Sequence, residues 1–183
     1  DDYKSYKKLI PTLKEYPNDI IVTADDDVYY QSNTLEILYK AYLNNPNNIY
    51  VRRSVKLQFV SGDLKGVSSR KYNYKPLTEP SYFNQLMGGS GCLYPPHSLY
   101  KDCTNYDVIQ NTIPTHDDVF FWAMAILNKT KIQVVGGFNE DLYFVEDTQN
   151  VGLIGNLGVS LEEAYKIMIK KYPQIINNLQ EEV

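Results

Sequence analysis

The sequence predicts an α/β fold, in which a mostly parallel sheet is flanked by helices within one domain over residues 1–183. Three observations predict it. Short β-branched runs are interleaved with longer segments of helical spacing, which is the pattern of strands joined by helices. Residues 19–24 form an apolar run without polar alternation, typical of a parallel strand covered on both faces. A content of 43% hydrophobic and 22% charged residues suits a globular domain.

The first third of the chain predicts helix, strand and helix. Apolar spacing predicts a short helix over residues 9–16, followed by the strand at 19–24. Asn33 can cap a second helix that has Glu36 at its third position and ends at residues 44–46. The residues expected to form the buried face of this helix are Leu35, Leu38, Tyr39 and Tyr42.

The middle of the chain predicts short strands around a long connection. Residues 49–52 and 55–60 read as strands, whereas residues 61–82 lack periodicity and form a candidate lid. The glycine-rich residues 88–91 then lead into a strand at 92–94, which two prolines end.

The last third predicts a buried helix, a strand and an amphipathic helix. Thr115 can cap the buried helix with Asp118 at its third position. Residues 119–127 are apolar on nearly every face, so this helix belongs in the core. A strand follows at 131–135, and Ser160 opens the final amphipathic helix.

Charge and cysteine content exclude several classes of protein. Lys and Arg number 18 and Asp and Glu number 22, for a formal charge of −4, so nucleic acid is not an expected partner. The two cysteines form no CxxC pair, which argues against a disulfide framework or a structural zinc site. No apolar run approaches the roughly 20 residues of a membrane-spanning helix. We expect a cytoplasmic protein, in contact with the inner face of the membrane at most peripherally.

Three consecutive acidic residues follow the first predicted strand. Mg²⁺ and Mn²⁺ usually bind one or two carboxylates together with substrate phosphates, which an Asp-x-Asp sequence at a strand end can supply. On an extended segment Asp25 and Asp27 share one face and Asp26 lies opposite. The alternative is a solvated acidic turn. The buried strand that precedes these residues favours the metal site.

A second acidic pair, Asp117 and Asp118, lies at the predicted start of the buried helix. Unpaired amides and the helix dipole stabilise a carboxylate there by about 0.3–1 kcal/mol, so capping alone explains one of the two. The same position can hold an ionised carboxylate that accepts a proton from an alcohol. Both interpretations remain open at the level of the sequence.

Two other functional classes fit parts of this pattern. Haloacid-dehalogenase-like phosphatases also place Asp-x-Asp after an apolar strand, but continue with Thr or Val where this chain has Tyr29. Their later acidic pair ends a strand, whereas the pair here starts a helix. A non-catalytic carbohydrate-binding module, with tyrosines as platforms and acidic residues around Ca²⁺, is the other alternative.

Four segments together resemble bacterial glycosyltransferases of the GT-A fold, of the kind that builds surface or capsular polysaccharide and is similar to the inverting glycosyltransferase family 2. They are, in order, residues 8–13 (KLIPTL), 20–30 (IIVTADDDVYY), 89–96 (GSGCLYPP) and 115–125 (THDDVFFWAMA). The similarity covers about residues 7–149.

The resemblance implies a GT-A-like mixed sheet and transfer of a sugar from a nucleotide-diphosphate donor, with a UDP-sugar as the first candidate. The acceptor is a hydroxyl of a saccharide or a lipid-linked saccharide. Only 24 residues precede Asp25, so the chain is expected to lack the N-terminal nucleotide-binding segment of such folds and to be a fragment.

On the donor side, the resemblance assigns Asp27 and Asp25 to the Mn²⁺ or Mg²⁺ ion, with Asp27 as the more direct ligand. Asp25 and Asp26 are further assigned to the donor. Lys8 is a candidate to neutralise the charge of the diphosphate, although a basic residue at such a position is usually only solvated.

On the acceptor side, the resemblance assigns Gly89, Ser90 and Gly91 to the strand entry that closes over the ligands. Asp118 is the expected base of an inverting displacement, and Asp117 is the alternative. A retaining outcome stays open, since both kinds of enzyme use Asp-x-Asp.

Overall fold

The computed structural model describes residues 2–67, 78–136, 143–146, 148 and 158–182. The strands in these ranges are β1 (Ile21–Thr23), β2 (Val28–Tyr29), β3 (Ile49–Val51), β4 (Ser54–Val60), β5 (Asp63–Val67), β6 (Asn84–Leu86), β7 (Cys92–Tyr94), β8 (Ile132–Val134) and β9 (Tyr143–Phe144). The helices are α1 (Ile10–Glu15), α2 (Thr34–Asn44), α3 (Tyr106–Gln110), α4 (Asp117–Leu127), α5 (Leu161–Lys171) and α6 (Gln174–Gln180). Short 3-10 helices cover Lys4–Lys8, Gly88–Ser90 and Lys101–Thr104.

The central sheet has four strands in the order β1, β7, β3, β8. β7 pairs antiparallel with both β1 and β3, whereas β3 and β8 are parallel. The α/β class and the mixed sheet are therefore confirmed, but the prediction of a mostly parallel sheet is wrong. A run without polar alternation predicts burial of both faces, and it carries no information on the direction of the neighbouring strand.

β1 differs from its prediction because it is covered on one face only. Ile21 and Thr23 are buried, but Val22 between them is 38% exposed. Within the described sheet β1 is an edge strand, paired with β7 alone. The residues that follow β1 therefore emerge at an accessible margin of the sheet.

α4 is the centre of the hydrophobic core, as predicted. Its eight residues from 119 to 126 are all buried. Trp122 donates its indole N–H to the carbonyl oxygen of Tyr82 at 2.8 Å, so the most bulky of these side chains is satisfied as well as buried. Because packing fixes α4 on every side, its N-terminus is held rigidly.

The predicted buried face of α2 is largely wrong. Leu38 is buried against Tyr50 and Leu93, but Leu35 is 60% and Tyr39 is 46% exposed. Tyr42 is only partly buried and stacks on Tyr39, with 6.2 Å between the ring centroids. Apolar residues lie on two sides of this helix, and the sheet covers only one of them.

Two of the three predicted helix starts, at Asn33 and Ser160, are confirmed in position, and one of the two has its capping hydrogen bond. Ser160 Oγ accepts a hydrogen bond from the backbone N–H of Glu163 at 3.2 Å, which caps α5. Among the described residues, Asn33 accepts no capping hydrogen bond for α2. The cap predicted at Thr115 is wrong by one residue, because α4 begins after His116.

The first residues of the candidate lid are not a loop. β5 forms a hairpin with β4, in which Val60 lies opposite Asp63. Residues 68–77, the middle of the candidate lid, lie outside the described residues. Across the described ranges, every helix falls short of the length and apolar character that crossing a bilayer requires.

Candidate catalytic site

The pairing of β1 with β7 builds one half of the site. Because the two strands are antiparallel, with Thr23 opposite Cys92, the residues after β1 lie beside those before β7. Asp25 thus comes to lie against the 3-10 turn Gly88–Ser90. A Cβ atom added to Gly89 would be 2.7 Å from Asp25 Oδ2, so a side chain here would displace the Asp25 carboxylate.

Tyr30 fixes this approach through two hydrogen bonds. The backbone N–H of Asp25 donates to the Tyr30 hydroxyl at 2.8 Å, and the hydroxyl donates to the carbonyl oxygen of Gly89 at 2.9 Å. Burial raises the pKa of Tyr30, so the hydroxyl stays protonated. The sequence did not single out Tyr30, because the contact depends on the strand register rather than on a local pattern.

The N-terminus of α4 supplies the other half. The backbone N–H of Gly88 donates to Asp118 Oδ1 at 2.8 Å. A Cβ atom at Gly88 would be 2.8 Å from that oxygen, so a side chain at Gly88 would displace the Asp118 carboxylate. In the sequence, only the Gly-Gly dipeptide indicated that Gly88 belongs to the site. The sequence-based prediction assigned Gly89, Ser90 and Gly91 to it instead.

Ser90 and Gly91 shape the turn rather than line the carboxylates. Ser90 is buried, and its hydroxyl donates to the carbonyl oxygen of Met87 at 2.7 Å. Gly91 has a φ of +92°, a conformation that side chains disfavour, and its backbone faces Thr34 and Arg52. Of the three predicted acceptor residues, the structure brings Gly89 to the acidic side chains.

Lys8 joins the two halves. Its Nζ lies 2.9 Å from Asp25 Oδ1 and 3.3 Å from Asp117 Oδ2, and its side chain is only 20% exposed. Burial lowers the pKa of Lys8, but the attraction of Asp117, Asp25 and Asp118 outweighs it and raises the pKa above its ordinary value. Lys8 is therefore a permanent ammonium ion between the two acidic motifs.

Asp118 has the most perturbed carboxyl group of the site. Burial and the neighbouring charge of Asp117 raise the pKa of Asp118 from 3.8 to about 7, although Lys8 and the Gly88 amide oppose the shift. A carboxyl group with such a pKa exchanges its proton near neutral pH. This property suits a general base or acid.

The remaining acidic residues follow β1 in a different backbone than expected. Residues 26 and 27 form a turn, so the alternation argument, which assumed extended backbone, does not hold. Asp26 is exposed, whereas Asp25 and Asp27 are partly buried. The carbonyl oxygen of Asp27 accepts a hydrogen bond from Val145 N–H at 2.9 Å, which ties this turn to β9.

The donor set of Asp25 and Asp27 fits a divalent cation only in partnership with a ligand. Carboxylate oxygens are the donors that Mg²⁺ and Mn²⁺ prefer, and one or two of them suffice when phosphates complete the shell. Within the described ranges, no three His, Cys, Asp or Glu side chains are grouped to hold a metal by themselves. The residues are thus compatible with a metal shared with a diphosphate.

Comparison with protein-family models found no match for this chain, and comparison with curated proteins found none. Its function is therefore inferred from the site itself. The residues that carry the inference are Lys8, Asp25, Gly88, Asp117 and Asp118.

Proposed function

We propose that this chain is a metal-dependent glycosyltransferase, which moves a sugar from a nucleotide-diphosphate donor to a hydroxyl of a saccharide acceptor with inversion. One observation carries the proposal: Asp25 and the Asp117–Asp118 pair, 92 positions apart in sequence, meet at Lys8. This arrangement differs from that of two separate solvated acidic turns, since the side chains of Lys8 and Asp117 are only 20% and 13% exposed.

Asp118 is the proposed base. Its Oδ1 is oriented by the Gly88 amide at 2.8 Å, and we assign proton acceptance to Oδ2. The base takes the proton of the acceptor hydroxyl as that oxygen attacks the anomeric carbon. A pKa of about 7 leaves a large ionised fraction at neutral pH and keeps the carboxylate basic enough to receive the proton.

We place the donor on the side of Lys8 that faces Asp25, opposite the side that faces Asp117. Asp27 and Asp25 would hold Mn²⁺ or Mg²⁺, which stabilises the negative charge of a departing diphosphate. Lys8 adds a fixed positive charge beside the same position, and Gly88 and Gly89 leave room where a side chain would contact the carboxylates. A UDP-sugar is the first donor to test, and a saccharide or lipid-linked saccharide is the acceptor class, with the reaction in the cytoplasm.

The experiment is a turnover screen of nucleotide-sugars with Mn²⁺ that compares the wild type with Asp118→Asn. We expect release of nucleoside diphosphate by the wild type and at least a 100-fold lower kcat in the variant, as is typical for loss of a general base. Asp107→Asn is the matched control, since it removes an exposed carboxylate from the first turn of α3. Equal turnover by Asp118→Asn and the control would contradict the assignment.

Measurements on the same protein distinguish the proposal from the two alternative classes, a phosphatase and a carbohydrate-binding module. A phosphatase would hydrolyse a simple phosphomonoester and lose that activity in Asp25→Asn. A carbohydrate-binding module would bind glycans with an affinity that neither Mn²⁺ nor nucleotide changes. The glycosyltransferase requires binding of nucleoside diphosphate that depends on Mn²⁺ and weakens in Asp27→Asn.

A further inference from the structure

We propose that the ammonium group of Lys8 is a built-in counter-cation, which competes with the divalent metal for Asp25 and so limits the metal affinity of the site. The inference rests on the proposed function. It adds a role for Lys8 that differs from contact with the diphosphate.

The competition follows from the positions of the two Asp25 oxygens. Oδ1 lies 2.9 Å from Lys8 Nζ, whereas Oδ2 faces Gly89, where the missing side chain leaves space. A metal ion that binds Asp25 through Oδ2 therefore shares one carboxylate with the ammonium group at Oδ1. Two cations at one carboxylate repel each other strongly at such distances, particularly where solvent is partly excluded.

The backbone of Lys8 cannot move to make room for a metal ion. It ends the 3-10 helix Lys4–Lys8, in which Tyr6 is buried and donates its hydroxyl to the carbonyl oxygen of Ile113. The next two residues, Leu9 and Ile10, are also buried in the core. Only the side chain can turn away, and Asp117 holds it from the other side at 3.3 Å.

The ammonium group also offsets part of the negative charge of the site when no ligand is bound. Three carboxylates, those of Asp25, Asp117 and Asp118, surround one cation. Without Lys8 they would repel each other and attract any divalent ion. The site therefore takes up a metal fully only when a diphosphate brings further ligands, which couples metal binding to donor binding.

The test is calorimetric titration of Mn²⁺ alone into the full chain. We expect Lys8→Met to bind Mn²⁺ about tenfold more tightly than the wild type, because a positive charge has been removed from the site. Lys8→Arg, which keeps the charge, stays near the wild-type affinity. Lys14→Met is the matched control, since Lys14 is exposed and its Nζ contacts the partly buried ring and the hydroxyl of Tyr3 among its described partners, away from the acidic residues.

The two proposals fail in different ways. Mn²⁺ affinity in Lys8→Met equal to or weaker than that of the wild type would overturn the competition, while wild-type binding that weakens in Asp27→Asn would leave the proposed function intact. Absence of Mn²⁺ binding by every variant, with nucleoside diphosphate present, would overturn both. If Lys8→Met unfolds on heating well below the wild type, Lys8→Gln removes the same charge and keeps a hydrogen-bond donor.

Discussion

Asp118 links activity and stability through one proton. Its pKa is raised to about 7 by burial and by Asp117. The proposed base must be ionised, so turnover should increase as the pH rises through about 7. In Asp118→Asn the remaining activity should lose this pH dependence, which a pH profile of kcat/KM measures.

The raised pKa of Asp118 affects stability in the opposite direction, since stability falls over the pH range in which turnover rises. The folded protein holds the Asp118 proton more tightly than the unfolded chain, whose aspartates titrate near 3.8, so stability falls as the pH rises from about 4 to about 7. Asp118→Asn should therefore be more stable than the wild type at pH 8, by about 1–3 kcal/mol in urea unfolding. The difference should shrink towards pH 4. A variant that is less stable at pH 8 would show that Asp118 serves the fold.

At the residue scale, the acidic patterns singled out Asp25, Asp117 and Asp118, whereas Lys8 was only a candidate for the diphosphate and its place between the two acidic motifs was not predicted. Charged residues that interrupt apolar segments are visible without a structure. Tyr30 and Gly88 could not be found in this way, because their roles arise from the register of β1 against β7.

At the scale of elements, α2 shows the limit of apolar spacing. Leu38 and Leu43 are the same residue type on the same helix, yet Leu38 is buried and Leu43 is 60% exposed. Leu38→Ala should lower the free energy of unfolding by about 2–4 kcal/mol, since it leaves a cavity beside Tyr50 and Leu93. Leu43→Ala should change it by about 0.5 kcal/mol or less.

This pair of variants needs only urea unfolding of each protein. Similar losses in both would mean that the outer side of α2 is also packed. The apolar spacing placed Leu38 on the buried face and left Leu43 off it, but it could not distinguish Leu38 from Leu35, which is exposed. A helix with apolar residues on two sides fits the sheet in more than one rotation.

Strand direction was the other element-scale error. The positions of β1, β3, β4, β7 and β8 were predicted to within a few residues, since each is a short β-branched or aromatic run. Their directions depend on which strands become neighbours, and β7 inserts between β1 and β3 from more than 40 positions away in sequence. No local pattern encodes that insertion.

At the scale of the whole molecule, the sheet converts four separate sequence motifs into one site. Residues 8–13 begin with Lys8, residues 20–30 contain Asp25, and the turn before β7 carries the two glycines. The core helix α4 brings the last motif, because its buried faces fix where its N-terminus ends. The class of the fold and most of the charged site follow from the sequence, whereas their assembly follows from the pairing of β1 with β7.

The most direct test of this convergence is a double-mutant cycle of Asp25→Asn and Asp117→Asn in urea unfolding at pH 8. Each single variant relieves the repulsion between the carboxylates and leaves Lys8 one of these two partners, whereas the double variant leaves it neither. The loss of stability in the double variant should therefore exceed the sum of the single losses by about 0.5 kcal/mol or more. The control pair Asp25→Asn and Asp107→Asn should be additive. Additive losses for Asp25 and Asp117 as well would mean that the two acidic motifs do not share a site.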